Sequence, residues 1–120
     1  MSEKLRDDQP IFQQIAEKIE TTILDESLKV GDQVPSTNVF AKHYQINPAT
    51  AAKGINLLVS QGVIVKKRGI GMFVTPEARE IILSKRKDEF YNDYILPLIQ
   101  EAKRIDISED QLMNWIRKGS

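Results

Sequence analysis

The side chains best suited to bind a ligand recur at regular spacing in the middle of the chain. They occupy every third position: Asn47, Thr50, Lys53 and Asn56. On a helix this spacing brings them to one side. Asparagine matches the hydrogen-bonding edge of adenine, threonine and lysine bind phosphates, and the small Ala49 could approach a thymine methyl. The pattern is typical of DNA contact, although such a face is also common on helices that only meet solvent.

A second group of basic side chains follows in a short hairpin. Residues 66–68 are Lys-Lys-Arg, and apolar or β-branched runs at 63–65 and 72–74 flank them and a glycine-containing loop. Such runs around a loop predict a β-hairpin with a basic tip. Gly69 and Gly71 would permit the turn and a close approach of the backbone to phosphate. The tip could therefore reach a DNA backbone or minor groove.

Charge is distributed unevenly along the chain. The net charge is zero, from 17 basic and 17 acidic residues among 120, but no carboxylate lies between Asp32 and Glu77. That interval has five basic residues, and the remaining chain has 12 against 17 acidic ones. Local charge matters most to a phosphate, because screening limits attraction to about 8–10 Å at ordinary salt. The basic interval indicates an anionic partner, unless the gap in the acids is a chance feature of the surface.

Helical periodicity and capping residues predict the elements that would hold these groups. Apolar spacing gives a first helix from Pro10 to about Asp25. Ser36 is a suitable N-cap for a short second helix. Asn47, which is followed by a proline, would cap a third helix that ends at Gly62. Two helices joined by a tight break and followed by a basic hairpin predict a winged helix-turn-helix.

The last part of the chain predicts a helical tail. Thr75-Pro76-Glu77 would begin a long helix, Pro97 would kink it, and Ser108 would open a final short helix. The final helix alone cannot cover the apolar stripe of the long one, so we expect a second copy of the chain to do so. The aromatic side chains could instead line a ligand pocket. The predicted dimer interface consists of Tyr91, Tyr94, Ile95, Leu98, Ile99, Ala102, Leu112, Trp115 and Ile116.

The residue types in this sequence predict neither a catalytic site nor a metal site. Cysteine is absent, and His43 is the only histidine, so we expect no metal and no cofactor, and His43 to contact phosphate or solvent. No nucleophile with a base and no phosphate loop is recognisable, which argues against an enzyme. There is neither a signal-peptide pattern nor an apolar run of about 20 residues. We therefore expect a cytoplasmic protein without a membrane partner.

Three segments closely resemble the GntR family of bacterial regulators. They are PIFQQI at 10–15, LKVGDQVPS at 28–36, and the wing from GVI at 62–64 to GIGMFV at 69–74. NPAT at 47–50 and the short tail with its proline look like the YtrA subfamily. The resemblance implies a dimeric transcription regulator, often a repressor and commonly of transporter operons. By the same resemblance the tail is a two-helix dimerisation element.

Some positions depart from the family pattern. Asn38 stands where members usually carry an arginine that touches DNA. Ala52 and Ile70 replace frequent basic residues of the recognition helix and wing, and Gln45 replaces a usual glycine. The operator sequence therefore cannot be copied from relatives. Fewer charged contacts also predict weaker binding or more reliance on dimerisation.

The sequence as a whole predicts a mainly α (α+β) protein. Residues 1–75 would form the winged helix-turn-helix domain and residues 76–120 the dimerisation tail. The expected partners are double-stranded DNA and a second copy of the chain; no small-molecule effector is identified. The alternative is a winged helix that docks proteins without binding DNA. The predicted DNA contacts are Ser36, Thr37, Asn38, Asn47, Ala49, Thr50, Lys53, Lys67, Arg68, Gly69 and Gly71.

Overall fold

Every fourth residue of the first apolar segment is an isoleucine, so these side chains share one side of a helix. In the computed structural model this segment forms α1, Ile11–Leu24, directly after Pro10. Ile15, Ile19 and Ile23 are buried. The predicted first helix is confirmed, and its isoleucines supply much of the core.

The structure describes residue 5 and residues 7–119. The start of the predicted domain 1–75 and the last residue of the predicted tail lie outside these residues. The chain divides into two compact units, which meet in sequence between Leu83 and Ser84. We call them the first unit and the second unit.

The helix-turn-helix consists of α2, Thr37–Tyr44, and α3, Pro48–Ser60. Both predicted caps form. The Ser36 hydroxyl oxygen accepts a hydrogen bond from the backbone N–H of Val39 at 3.3 Å. The Asn47 side-chain oxygen accepts one from Ala49 at 2.8 Å. Each cap satisfies an N–H that the helix leaves without an internal partner, which fixes where the helix begins.

Gln45 ends α2 in the left-handed conformation, with φ of 55°. A side chain at this φ is strained, whereas glycine adopts it freely. We therefore expect Gln45→Gly to raise the free energy of unfolding by about 0.5–1 kcal/mol, since relief of strain exceeds the added entropy of the unfolded chain. Urea denaturation measures the change. Gln45→Ala keeps the strain and is the control; an equal gain in both variants would contradict this account.

The wing is one hairpin of a three-stranded antiparallel sheet in the order β1-β3-β2. Its strands are β1, Gln33–Val34; β2, Ile64–Lys67; and β3, Gly71–Val74. Gln33 pairs with Phe73 across β1 and β3. The hairpin of β2 and β3 agrees with the prediction. The sequence did not predict β1, because two residues are too few to show a strand pattern.

The core of the first unit lies between α1, α3 and the sheet. α1 and α3 approach so closely at Gly54 that a side chain there would meet the carbonyl oxygen of Phe12 at 2.7 Å. The largest fully buried apolar side chains are Ile15, Ile55, Leu58, Ile64, Ile82, Val63 and Val74.

The long helix begins two residues later than the sequence predicted, at Ala78 instead of Pro76. Thr75 does not cap it: its hydroxyl donates instead to the carbonyl oxygen of Gly62 at 2.6 Å. That bond joins the end of β3 to the turn after α3, and the helix starts as α4, Ala78–Phe90. Ala78 and Ile82 are fully buried in the core of the first unit. Part of the predicted tail thus helps to form the winged domain.

The second unit is helical. A π-helical turn at Tyr91–Ile95 follows α4 and precedes α5, Leu96–Arg104. The Leu96 N–H donates to the Tyr91 carbonyl, five residues back. The ring of Pro97 would clash with the preceding turn of a regular α-helix. The wider π-helical turn lies directly before this proline, so the helix departs from α geometry next to the predicted kink.

A cap fixes the start of the last helix, α6, Glu109–Gly119. The Ser108 hydroxyl oxygen accepts from the N–H of Gln111 at 3.1 Å, as the capping-box pattern predicted. Ala102 is buried, and its carbonyl oxygen accepts from the N–H of Ile107 at 2.8 Å. This bond closes the turn between α5 and α6.

Candidate nucleic-acid interface

One face of α3 carries the polar side chains that the spacing predicted to lie together. Asn47, Ala49, Lys53 and Asn56 are exposed, and Thr50 is half-buried. The opposite face is buried in the core through Ala51, Ile55 and Leu58. Packing therefore settles which side of the helix is presented outward.

Contacts within the protein already orient three of these side chains. The Lys53 ammonium lies 4.2 Å from the ring centre of Phe12, a cation–π contact with α1. The Asn56 side-chain oxygen accepts from the Lys66 ammonium at 2.6 Å, which ties α3 to the wing. Asn47 uses its oxygen as the helix cap. Only its amide nitrogen is then fully available to a base, so bidentate contact with adenine would require the cap bond to be shared.

A tight turn forms the tip of the wing. The Ile70 N–H donates to the Lys67 carbonyl at 2.9 Å, and Gly69 takes φ of 76°, where a side chain would be strained. The Lys67 ammonium lies 5.0 Å from the ring centre of Phe73, and Arg68 is exposed. The predicted basic tip is present, with its charges on the outside.

A shallow pocket of about 350 Å³ joins the start of α2 to the wing. Its lining brings the predicted contacts Ser36, Thr37 and Asn38 beside Gly71. Gln33 also lines the pocket, although the sequence did not predict it as a DNA contact. A lone glutamine between two turns has no recognisable spacing, so only the pairing of β1 with β3 reveals it.

The first unit gathers the basic interval onto these elements. Lys53, residues 66–68 and the start of α2 occur in a stretch without any carboxylate.

His43 packs edge-on against Tyr44, with ring centres 4.7 Å apart. Within the described part of the chain no group of three acidic, histidine or cysteine side chains could hold a metal. No described helix is both long and apolar enough to cross a membrane.

The second unit exposes an unusual number of large apolar side chains. Among the residues predicted for a dimer interface, Ile95 and Leu112 are half-buried and Ala102 is buried within the single chain. Ala102 thus has little surface left for a partner. Three further side chains, which were not predicted to belong to the dimer interface, are also exposed: Phe90, Ile105 and Met113. The exposed members of the predicted set are Tyr91, Tyr94, Leu98, Ile99, Trp115 and Ile116.

Comparison with known proteins identifies the family. The family described as "Bacterial regulatory proteins, gntR family" matches residues 11–74, which span every element from α1 to β3. This chain belongs to the GntR family. It is therefore a winged helix-turn-helix, DNA-binding transcription regulator.

Relatives of this regulator extend the similarity into the tail. The HTH-type transcriptional repressor YtrA of Bacillus subtilis is 27% identical, over 96% of this chain and 88% of that protein. A GntR-family structure from Bacteroides thetaiotaomicron is 29% identical, with a TM-score of 0.77 over 92% of this chain and 99% of the other. YtrA from Sulfolobus acidocaldarius is 30% identical, with a TM-score of 0.58 over 98% and 94%. The resemblance to YtrA is thereby confirmed.

Proposed function

We propose that this regulator represses transcription as a homodimer that binds a two-fold related DNA operator. The observation that carries the proposal is the acid-free basic interval, whose residues form the exposed face of α3 and the wing tip. The relative named a transcriptional repressor supports repression, and the resemblance to YtrA suggests a transporter operon as the target. Because such DNA is chromosomal, a cytoplasmic location is part of the proposal.

Each element of the interface would have a separate task. α3 would enter the major groove, with the Asn47 amide and Ala49 facing base edges and Thr50 near a phosphate. Lys53 would contact a phosphate, assisted by its position over Phe12. The start of α2, with Ser36, Thr37 and Asn38, would approach the backbone. Lys67 and Arg68 would do so from the wing, where Gly69 and Gly71 shape the turn.

The second unit would supply the dimer contact. Its exposed apolar side chains include four aromatic rings, those of Phe90, Tyr91, Tyr94 and Trp115. Burying a single large apolar side chain contributes about 1.5–3 kcal/mol, so a partner that covers several is strongly favoured. A two-fold symmetric copy presents the same face and closes the assembly. The two α3 helices would then meet half-sites about 34 Å apart, or a multiple of this.

Lys53→Ala tests the role of α3. We expect binding to weaken several-fold on all sequences, with the slope of log affinity against log salt falling by about one phosphate contact. Fluorescence titrations of duplex DNA, selected from a random pool by the parent protein, measure both. Lys103→Ala removes an exposed charge from the second unit and is the control. Failure to select any duplex would overturn DNA recognition and favour a protein-docking winged helix.

A further inference from the structure

Two lysines of the basic interval are held in place by uncharged side chains. The Lys53 ammonium lies 4.2 Å from the ring centre of Phe12, which belongs to α1. The Lys66 ammonium donates to the side-chain oxygen of Asn56 at 2.6 Å. Lys53 and Asn56 are three residues apart on the exposed side of α3. This helix therefore contacts α1 through one lysine and the wing through the other.

The ring of Phe12 lies outside the hydrophobic core. Phe12 is half-buried in the first turn of α1. Its neighbour Ile11 packs against the core, whereas Phe12 is not among the core side chains of the described residues. α1 approaches α3 closely at Gly54, the residue after Lys53, and this brings the ring beside the lysine. The contact with Lys53 thus gives the ring a use that core packing does not.

An uncharged partner orders a lysine without cancelling its charge. A carboxylate would also hold an ammonium in place, but it would compete with phosphate for the same N–H groups. The first turn of α1 has no acidic residue, and none lies between Asp32 and Glu77. A lysine that is already ordered also loses less side-chain entropy when it binds. Both ammonium groups can therefore meet phosphates at full charge and with a smaller loss of entropy.

We propose that Phe12 and Asn56 are positioning residues of the DNA interface, each of which holds one lysine ammonium ready for a phosphate before DNA binds. The inference rests on the proposed function and deepens it in two ways. It adds α1 to the interface as the element that orders Lys53. It also gives Asn56, on the polar face of α3, the task of orienting Lys66 instead of reading a base. Both lysines meet the DNA backbone, which positions the protein without reading sequence.

Double-mutant cycles test both positions on a duplex selected from a random pool by the parent protein. Phe12→Leu removes the ring but keeps an apolar side chain, and Asn56→Ala removes the acceptor. Each should lower affinity about two- to fivefold. Phe12→Leu should cause little further loss in a Lys53→Ala background, and Asn56→Ala little in a Lys66→Ala background, because no ammonium is left to hold.

The crossed pairs are the matched controls. Phe12→Leu with Lys66→Ala, and Asn56→Ala with Lys53→Ala, each remove two side chains that do not hold each other, so their losses should add. The slope of log affinity against log salt gives a second distinction. It should fall by about one when either lysine is removed, but stay near the parental value in Phe12→Leu and Asn56→Ala, because the lysine still reaches its phosphate in the complex.

Nuclear magnetic resonance of the protein without DNA tests whether Lys53 is ordered in advance. Protons over the face of an aromatic ring resonate upfield, so the side-chain protons next to the Lys53 ammonium should do so in the parent. Phe12→Leu should abolish this upfield shift, whereas Phe12→Tyr keeps a ring and should retain both the shift and the coupling to Lys53. The melting temperature of Phe12→Leu should stay near that of the parent, because the ring is not part of the core.

The outcomes separate this inference from the proposed function. Additive losses within a matched pair, or parental affinity of Phe12→Leu or Asn56→Ala, would overturn the positioning role of that residue, while the selected duplex would still support the proposed function. Lys53 resonances that are the same in Phe12→Leu and the parent would overturn the role of Phe12 in the same way. Failure to obtain any selected duplex would overturn the proposed function together with this inference.

Discussion

Replacing Gly54 with alanine should lower the free energy of unfolding by about 2–3 kcal/mol. The added carbon would lie 2.7 Å from the carbonyl oxygen of Phe12 and 3.2 Å from the side chain of Ile15. One of these atoms belongs to the backbone of α1, so α1 and α3 would have to move apart. Because α3 carries the polar face, we also expect weaker DNA binding.

The sign of this effect is informative, because helix propensity acts in the opposite direction. At an open helical site alanine is better than glycine by up to about 1 kcal/mol. Gly119 is the last residue of α6 and has nothing within 4 Å of an added side chain, so only part of this helix-interior preference applies there. Gly119→Ala should therefore be neutral or slightly stabilising in urea denaturation. A Gly54→Ala variant as stable as the parent would show that the two helices are not packed as closely as described.

Leu98→Asp should convert the regulator to a monomer and weaken operator binding by about a hundredfold or more. Leu98 is 43% exposed in the single chain, so the substitution should leave the second unit folded but place a charge on the proposed dimer face. Two linked half-site contacts gain about 10²–10⁴ in affinity over one, and the monomer forfeits this. Light scattering gives the molar mass, and a DNA titration gives the affinity.

Gln100→Asp adds the same charge to an exposed polar position of α5 and is the control. It should remain dimeric and bind like the parent.

A truncation of the chain offers a second test, and its end point follows from the structure. Ala78 and Ile82 belong to the core of the first unit, so the chain should end after Leu83 rather than after Thr75. A truncated protein that is still dimeric, or a monomer with parental affinity, would exclude the tail as the dimer contact.

Local signals determined most of the element boundaries. Ser36 and Asn47 each cap a helix as predicted, and Ser108 caps α6. The paired runs that flank 66–68 form the predicted hairpin. These features depend on hydrogen bonds and backbone preferences within about four residues, so the sequence alone carries them. The polar face of α3 was predictable in the same way, since its spacing is that of the helix itself.

Contacts between distant segments were decided only by the tertiary structure. The Gln33 side chain donates to the Ile70 carbonyl because β1 pairs with β3, and β1 is too short to have a pattern of its own. Thr75 binds the Gly62 carbonyl instead of capping α4, because the end of β3 brings its hydroxyl to that oxygen. The closeness of α1 and α3 at Gly54 likewise depends on packing. A sequence encodes local preference directly, but which distant atoms meet depends on how all the elements fill one core.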